Sequence, residues 1–142
     1  MANTAVFLDA NIFIYAIDRT SEQYGEVVED IQELLDEKAA LCTSHHVIEE
    51  VLHIVQKLPQ SGTTLSEVVK EINKVPDLIL IEPAANIEFA VRYASLSQKL
   101  KSGVNDALIL QLMIDSGIKR VFSYDKKLLK HAQAMGIELV GR

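Results

Sequence analysis

Four acidic residues end or interrupt apolar stretches of the sequence, where an ionised side chain is costly. They are Asp9, Glu50, Asp106 and Asp125. A buried carboxylate needs a partner, and carboxylates that meet in one pocket repel each other unless a cation neutralises them. Mg²⁺ and Mn²⁺ take oxygen ligands of this kind and bridge them to substrate phosphates. The pattern therefore predicts a hard divalent metal ion, provided that the four acids converge.

Two of these acids also have a purely structural explanation. Asp106 opens one predicted helix and Asp125 precedes another, and at a helix N-terminus a carboxylate can cap free backbone N–H groups and interacts favourably with the helix dipole. The coincidence of four acids, more than any one of them, favours a shared site.

A nitrogen-rich metal site is an alternative on the helix that follows Ser44. His46, Glu50 and His53 fall within about 60° of one another at about 100° per residue. Glu49 lies beside them. Histidine ligands would favour zinc, whereas an exposed polar stripe on an amphipathic helix explains the same spacing without a metal.

Covalent catalysis has no predicted nucleophile in this sequence. The six glycines are scattered, so there is no glycine-rich phosphate loop, and no serine stands in a nucleophile-elbow motif. Cys42 lies in a predicted buried strand, where a cysteine is most often inert packing.

Apolar periodicity predicts the elements that position the acids. Five strands are predicted, at Ala5–Leu8, Ala40–Thr43, Leu78–Ile81, Arg120–Ser123 and Ile137–Val140. Seven helices are predicted: Asn11–Ile17, Tyr24–Lys38, one from Ser44 that Pro59 and Gly62 end, Leu65–Val75, Asn86–Leu100, Asp106–Asp115 with Gly117 as its stop, and Lys126–Met135.

Strands that alternate with helices pair in parallel through right-handed crossovers. The predicted fold is therefore α/β, a three-layer α/β/α sandwich around a central, mostly parallel five-stranded sheet, formed by one domain over residues 1–142. Ligands of such folds bind beyond the carboxyl ends of the strands, where Asp9 and Asp125 are expected.

The composition excludes a disordered or fibrous chain, because 49% of the 142 residues are hydrophobic and 24% are charged. The single cysteine cannot form an intramolecular disulfide, and the start of the chain is neither basic nor apolar enough for a secretion signal. The longest apolar run, Ile12–Ile17, is far shorter than the roughly 18 residues of a membrane span. We therefore expect a cytoplasmic protein that does not enter a membrane.

The charge is uneven along the chain, although the net value is −6. From Lys99 to Lys130 seven bases face three acids, a net of +4, so the rest of the chain carries −10. Such a basic segment is compatible with a polyanionic partner, and an ordinary solvated surface explains it equally well.

Four motifs resemble those of PIN domains, above all the VapC-type toxins. The segment Val6–Ala16, with sequence VFLDANIFIYA, is similar to the opening motif of that family. Thr43–Ser44 followed by Glu50, six residues after the serine, resembles the second motif. Asn105–Ile109 resembles the third and Val121–Leu128 the fourth. The ordered set spans the chain from its first predicted strand to near its last.

The resemblance implies an endoribonuclease that depends on Mg²⁺ or Mn²⁺ and hydrolyses RNA phosphodiester bonds with a metal-activated water. Its catalytic and metal-binding quartet would be Asp9, Glu50, Asp106 and Asp125. The residues that support the site would be Asn11 and Ser123. The candidates for phosphate contacts, chosen because they adjoin Asp125, are Lys126, Lys127 and Lys130.

The chain departs from the family pattern at two points. Many relatives carry a further acid two residues after the fourth-motif position, where this chain has Lys127, which implies fewer metal ligands. Arginines, which often help relatives to bind RNA, are few here: Arg19, Arg92, Arg120 and Arg142. Glu49 also competes for the role of Glu50, although the spacing from Ser44 favours Glu50.

The implied partners are an RNA substrate, a VapB-type antitoxin and a second copy of the chain in a homodimer. The main alternative is a non-catalytic PIN-like module that binds RNA or a protein. A metal-dependent phosphatase or response-regulator receiver is a weaker alternative, because receivers need adjacent acids after the first strand, whereas Asp9 stands alone and Glu82 precedes Pro83.

Overall fold

A five-stranded sheet forms the centre of the molecule in the computed structural model, which describes residues 4–58 and 64–141. The strands are β1 (Ala5–Leu8), β2 (Ala40–Thr43), β3 (Ile79–Leu80), β4 (Arg120–Phe122) and β5 (Glu138–Val140). They lie in the order β3-β2-β1-β4-β5, and all neighbouring strands are parallel. The α/β fold with a parallel five-stranded sheet is thus confirmed.

Seven helices connect and cover the strands within the described residues. They are α1 (Ala10–Ile17), α2 (Tyr24–Asp36), α3 (His45–Gln56), α4 (Leu65–Ile72), α5 (Ile87–Leu100), α6 (Val104–Asp115) and α7 (Lys126–Ala134). All seven were predicted, and the ends that differ from the prediction shift by one to three residues. The predicted end of α3 at Pro59 and Gly62 lies outside the described residues. Across residues 4–58 and 64–141, none of the helices combines the length and apolar character needed to cross a bilayer.

Strand β1 lies in the middle of the sheet, and its side chains form the centre of the core. Val6, Phe7 and Leu8 are fully buried, as expected for a parallel strand covered on both faces. Right-handed crossovers place α1 to α4 on one face and α5 to α7 on the other. In keeping with this, α1 contacts α3 and α4, while α5 packs against α6.

The chain reverses its direction of travel across the sheet at the boundary between β1 and β4. From β1 the crossovers proceed to β2 and β3, whereas from β4 they proceed the opposite way to β5. Such a switch point opens a crevice beyond the carboxyl ends of the two strands. Leu8 pairs with Phe122 in the register, so the next residues, Asp9 and Ser123, emerge side by side in that crevice.

Helix α6 is buried on more than one side, as its nearly uniform apolar sequence predicted. Its buried residues are Ala107, Ile109, Leu110, Leu112 and Met113. The helix begins at Val104, two residues before the predicted start at Asp106. Val104 is 59% exposed and adds nothing to the apolar periodicity, which explains why the sequence missed it.

The structure therefore corrects the cap interpretation of Asp106. Gly103 occupies the N-cap position of α6 and Asp106 lies inside the first turn. At the other end Gly117 adopts a φ of 69°, and this left-handed conformation ends the helix as predicted.

Candidate active site

Asp9 lies at the carboxyl end of β1 and at the N-cap of α1, and only 5% of its surface is exposed. The backbone N–H of Ala10 donates a hydrogen bond to Oδ1 (2.8 Å), and the Ser123 hydroxyl donates one to Oδ2 (2.7 Å). Burial raises the pKa of Asp9, and the charge of Asp125 raises it further. The two hydrogen bonds and nearby His46 oppose this rise without cancelling it.

A hydrogen-bond network joins the turn after β1 to the turn after β4. Asn11 Nδ2 donates to Ser123 Oγ (3.3 Å) and to Asp9 Oδ2 (3.5 Å), and Asn11 Oδ1 accepts from the backbone N–H of Tyr124 (3.0 Å). Ser123 Oγ also accepts from the backbone N–H of Asp125 (3.0 Å). The side chains of Asn11 and Ser123 thus fix the relative positions of Asp9 and Asp125.

Asp125 is the N-cap of α7. Its Oδ1 accepts hydrogen bonds from the backbone N–H groups of Lys127 (2.9 Å) and Leu128 (3.3 Å). The structural explanation for this acid is therefore confirmed. The cap does not remove Asp125 from the cluster, because its charge raises the pKa values of both Asp9 and Asp106.

Glu50 projects from α3 and is half-buried. Burial raises its pKa most, followed by the charge of Asp9, with a smaller contribution from Asp106. A hydrogen bond from the Asn105 side chain and the proximity of His46 oppose the rise. Within the described part of the chain, Glu50 Oε2 is buried and has no hydrogen-bond partner.

Asp106 approaches the same place from the first turn of α6. Burial raises its pKa, and the charges of Asp125 and Asp9 add to the rise. His131 and Lys127, both on α7, oppose it. Asp106 is therefore in electrostatic contact with residues from β1 and α7 as well as with Glu50 on α3.

The four acids thus come together from separate elements beyond the carboxyl edge of the sheet. They form a loose cluster: over residues 4–58 and 64–141, no three His, Cys, Asp or Glu side chains lie close enough to hold a metal ion unaided. Hard cations such as Mg²⁺ keep several waters when bound, so a loose set of carboxylates suits them better than a closed cage. The unsatisfied oxygen of Glu50 and the mutual repulsion of the acids fit such an ion.

Over the same described residues, His46, Glu50 and His53 do not form a group that could hold a metal ion unaided either. The His46 ring is hydrogen-bonded to Asn105 Oδ1 instead, and His53 is exposed on α3. Helical spacing placed these side chains on one face without bringing them within ligand distance. Glu49 is exposed whereas Glu50 is half-buried, which favours Glu50 as the member of the cluster.

The three lysines that were candidates for phosphate contacts are exposed on α7: Lys126, Lys127 and Lys130. Lys127 is near enough to Asp106 for its charge to lower the pKa of that carboxyl. It therefore stands at the rim of the cluster.

Sequence reasoning missed two neighbours of the acids, Asn105 and His131. His131 follows Lys127 by one helical turn, a spacing that would have placed both on one face of α7. Asn105 adjoins Asp106, yet no sequence pattern connects it with His46, because that contact spans 59 residues.

Comparison with known proteins identifies the family of this chain. The solved structures similar to it include VapBC2 from Rickettsia felis bound to a promoter DNA fragment, with 20% identity, a TM-score of 0.67, and coverage of 95% of this chain and 96% of that one. Mycobacterium tuberculosis VapC20, described as a sarcin-ricin loop cleaving toxin, has 18% identity, a TM-score of 0.66, and coverage of 96% and 99%.

VapBC-1 from nontypeable Haemophilus influenzae has 15% identity, a TM-score of 0.65, and coverage of 96% of this chain and 97% of that one. A comparison with curated proteins found no match. The family model described as PIN domain matches residues 6–134. Because that match covers most of the sequence and the fold agrees with it, the chain belongs to the PIN domain family.

Proposed function

We propose that this chain is an endoribonuclease dependent on Mg²⁺ or Mn²⁺, and that it is the toxin of a VapBC-type toxin–antitoxin pair. The observation that carries the proposal is the convergence of four carboxylates, from β1, α3, α6 and the start of α7, in the crevice at the switch point. Three of them, Asp9, Glu50 and Asp106, have raised pKa values to which the other carboxylates contribute. An anionic cluster of this kind favours a bound cation.

The donor set fits a hard divalent ion, because it consists of carboxylate oxygens. We assign the ion to Asp9, Glu50, Asp106 and Asp125. When bound, Mg²⁺ or Mn²⁺ supplies positive charge beside the scissile phosphate and lowers the pKa of a coordinated water. A protein nucleophile is not required.

The residues of the chain itself orient the reacting groups. The Ser123 hydroxyl and the Ala10 N–H hold the Asp9 carboxylate, and Asn11 ties Ser123 and Tyr124 to the same turn. Positive side chains on the first two turns of α7 stand beside the cluster and would bind the RNA backbone. They are Lys126, Lys127 and Lys130.

The proposed partners follow from the family and its structural neighbours. Two of the similar structures are those of VapBC2 from Rickettsia felis and VapBC-1 from nontypeable Haemophilus influenzae. We propose that a VapB-type antitoxin covers the acidic crevice, that the toxin forms a homodimer, and that it acts on RNA in the cytoplasm.

Metal-dependent RNA cleavage by the purified chain tests the activity. The protein is treated with EDTA, dialysed and incubated with structured RNA, first without metal and then with Mg²⁺ or Mn²⁺. We expect cleavage only with metal, and a loss of at least about 100-fold in Asp9→Asn and Glu50→Gln, as is typical when a group that acts in the transition state is removed. Glu49→Gln is the matched control, because it removes the adjacent exposed carboxylate of α3 and should cleave like the parent.

Two results would contradict the nuclease. RNA that binds without being cut under all metal conditions would indicate the non-catalytic module. Cleavage that persists in an Asp9→Asn, Glu50→Gln double variant would show that the crevice does not carry the activity.

A growth assay tests the toxin role separately. Induced expression of the parent in bacteria should arrest growth, and Asp9→Asn should not. Normal growth with an active parent enzyme would remove the toxin assignment while leaving the nuclease assignment intact.

A further inference from the structure

Asn105, the second residue of α6, meets two side chains that lie one helical turn apart on α3. Its Oδ1 is hydrogen-bonded to His46 Nε2. The same Asn105 side chain lies near enough to the Glu50 carboxylate to lower the pKa of that group. Residues four apart on a helix share a face, so one amide from α6 can contact both.

The chemistry of the three groups fixes the direction of each hydrogen bond. A carboxylate only accepts, so the NH₂ group is the end of the Asn105 amide that can donate to Glu50. The amide oxygen must then accept from His46, which places a ring proton on Nε2. The oxygen of the Asn105 amide therefore faces His46, and its NH₂ group faces Glu50.

This bridge joins the two helical layers directly beside the carboxylates. Helix α3 lies on one face of the sheet and α6 on the other, and Asn105 is the immediate neighbour of Asp106. A glutamate has several rotatable bonds, so holding its carboxylate in one place costs conformational entropy unless another group restrains it. Among the described residues, Oε2 of Glu50 is buried and has no hydrogen-bond partner.

We propose that Asn105 is a positioning residue: its amide, anchored by His46, holds the Glu50 carboxylate towards Asp9 and Asp106. Its effect on ion binding and cleavage rests on the proposed function. The bridge itself does not, because no ion takes part in the contact between His46 and Asn105. The competing view is that His46 acts directly on an ion or on the RNA.

A pair of His46 variants separates these two views. The side-chain NH₂ of glutamine reaches the place of the histidine Nε2, whereas that of asparagine reaches only the place of Nδ1. His46→Gln therefore keeps the donor to Asn105, and His46→Asn loses it. His53→Asn makes the same change on the exposed part of α3 and is the control.

Mn²⁺ affinity, measured by calorimetry on metal-free protein, is the first readout. We expect Asn105→Ala and His46→Asn to weaken Mn²⁺ binding by about 10- to 100-fold, the range found when residues that orient metal ligands are removed. His46→Gln and His53→Asn should stay within about threefold of the parent on the same scale. In cleavage assays Asn105→Ala should lower kcat and leave KM for RNA unchanged, because a positioning residue acts on the Glu50 carboxylate and not on RNA binding.

Nitrogen NMR of the metal-free protein is the second readout. The parent should show His46 as the Nε2–H tautomer, and Asn105→Ala should abolish that preference without unfolding the protein. A parent without the Nε2–H tautomer, or a His46→Gln variant as impaired as His46→Asn, would overturn the positioning role. If the parent bound no Mn²⁺, the proposed function would fail, and the tautomer measurement would still decide whether the bridge exists.

Discussion

Asp9 accepts hydrogen bonds from the Ser123 hydroxyl and the Ala10 N–H, and yet its pKa is raised above the usual range. Hydrogen bonds to a carboxylate favour the ionised form, so the opposing effects must be larger. The largest is desolvation, since the side chain is nearly inaccessible to water, and the charge of Asp125 adds to it. In the absence of a cation, ionised Asp9 therefore costs the folded protein free energy.

Asp9→Asn should for this reason stabilise the metal-free protein. A group whose pKa is higher in the folded than in the unfolded state contributes stability at low pH that is lost as the pH rises through the folded pKa. The melting temperature of the parent in EDTA should thus fall as the pH rises from the carboxyl range to neutrality. The Asn variant should show a shallower fall and a higher melting temperature than the parent at neutral pH.

Thermal melts in EDTA and in Mg²⁺ or Mn²⁺ check this expectation. Added ion should raise the melting temperature of the parent and leave that of Asp9→Asn nearly unchanged. Glu22→Gln removes an exposed acid and serves as the control for net charge. A variant that melts below the parent in EDTA would show that the Asp9 charge is already compensated.

Cys42 should be inert in the folded protein. Burial raises the pKa of its thiol to about 12, its Sγ donates to the Val6 carbonyl (3.2 Å), and 2% of its surface is exposed. The thiolate is the reactive form, so a thiol reagent at neutral pH should label the native protein only as fast as it unfolds. Labelling at the same rate in native and urea-unfolded protein would contradict this.

At the scale of the elements, the caps of α3 and α4 offer a matched comparison. The Ser44 hydroxyl accepts from the backbone N–H of Val47 (3.2 Å) in a buried position, and Thr64 accepts from Glu67 (3.2 Å) in an exposed one. Helix α3 carries both His46 and Glu50, so its first turn also matters for the candidate site.

We expect Ser44→Ala to cost about 1–2 kcal/mol of unfolding free energy and Thr64→Ala about 0.5–1 kcal/mol. The difference arises because a buried N–H group that loses its cap cannot form a replacement hydrogen bond with water. Urea denaturation of both variants measures these costs. Equal costs would mean that water satisfies the first turn of α3 as readily as that of α4.

At the scale of the whole molecule, the charge distribution bears on how the proposed RNA substrate would bind to an acidic protein. The net charge of −6 repels a polyanion, whereas the exposed lysines of α7 stand beside the carboxylate cluster. Lys127 is the nearest of them, since its charge reaches Asp106. We therefore expect RNA binding to depend on the exposed lysines of α7 that stand beside the carboxylate cluster.

Lys127→Ala should weaken RNA binding and reduce its dependence on salt. Each phosphate contact contributes about 0.7–0.9 to the slope of log K against log salt concentration, so that slope should fall by nearly one unit. The measurement uses Asp9→Asn as the background, so that the RNA is not cut. Lys70→Ala on α4 is the control, and equal slopes for the two lysine variants would leave α7 without a role in RNA binding.

Most of the fold could be predicted because its signals are local. The apolar run of β1, the helical spacing of α2 and the stop at Gly117 each depend on a few neighbouring residues. The ends of elements were less certain where exposed apolar residues carry no periodic signal, as at Val104 in α6. The ends of strand β3 were missed for the same reason, because it is a two-residue edge strand and both of its side chains are exposed.

The sequence by itself determined the alternation of strands and helices, and with it the parallel α/β sheet and the strand ends at which Asp9 and Asp125 lie. Only the tertiary structure decided that Glu50 and Asp106 join them, and that Asn105 and His46 bridge α3 to α6. The physical reason is the range of the interactions. Hydrophobic periodicity and capping act over a few residues, whereas the meeting of side chains from separate helices depends on strand order and register, which are settled by packing of the whole molecule.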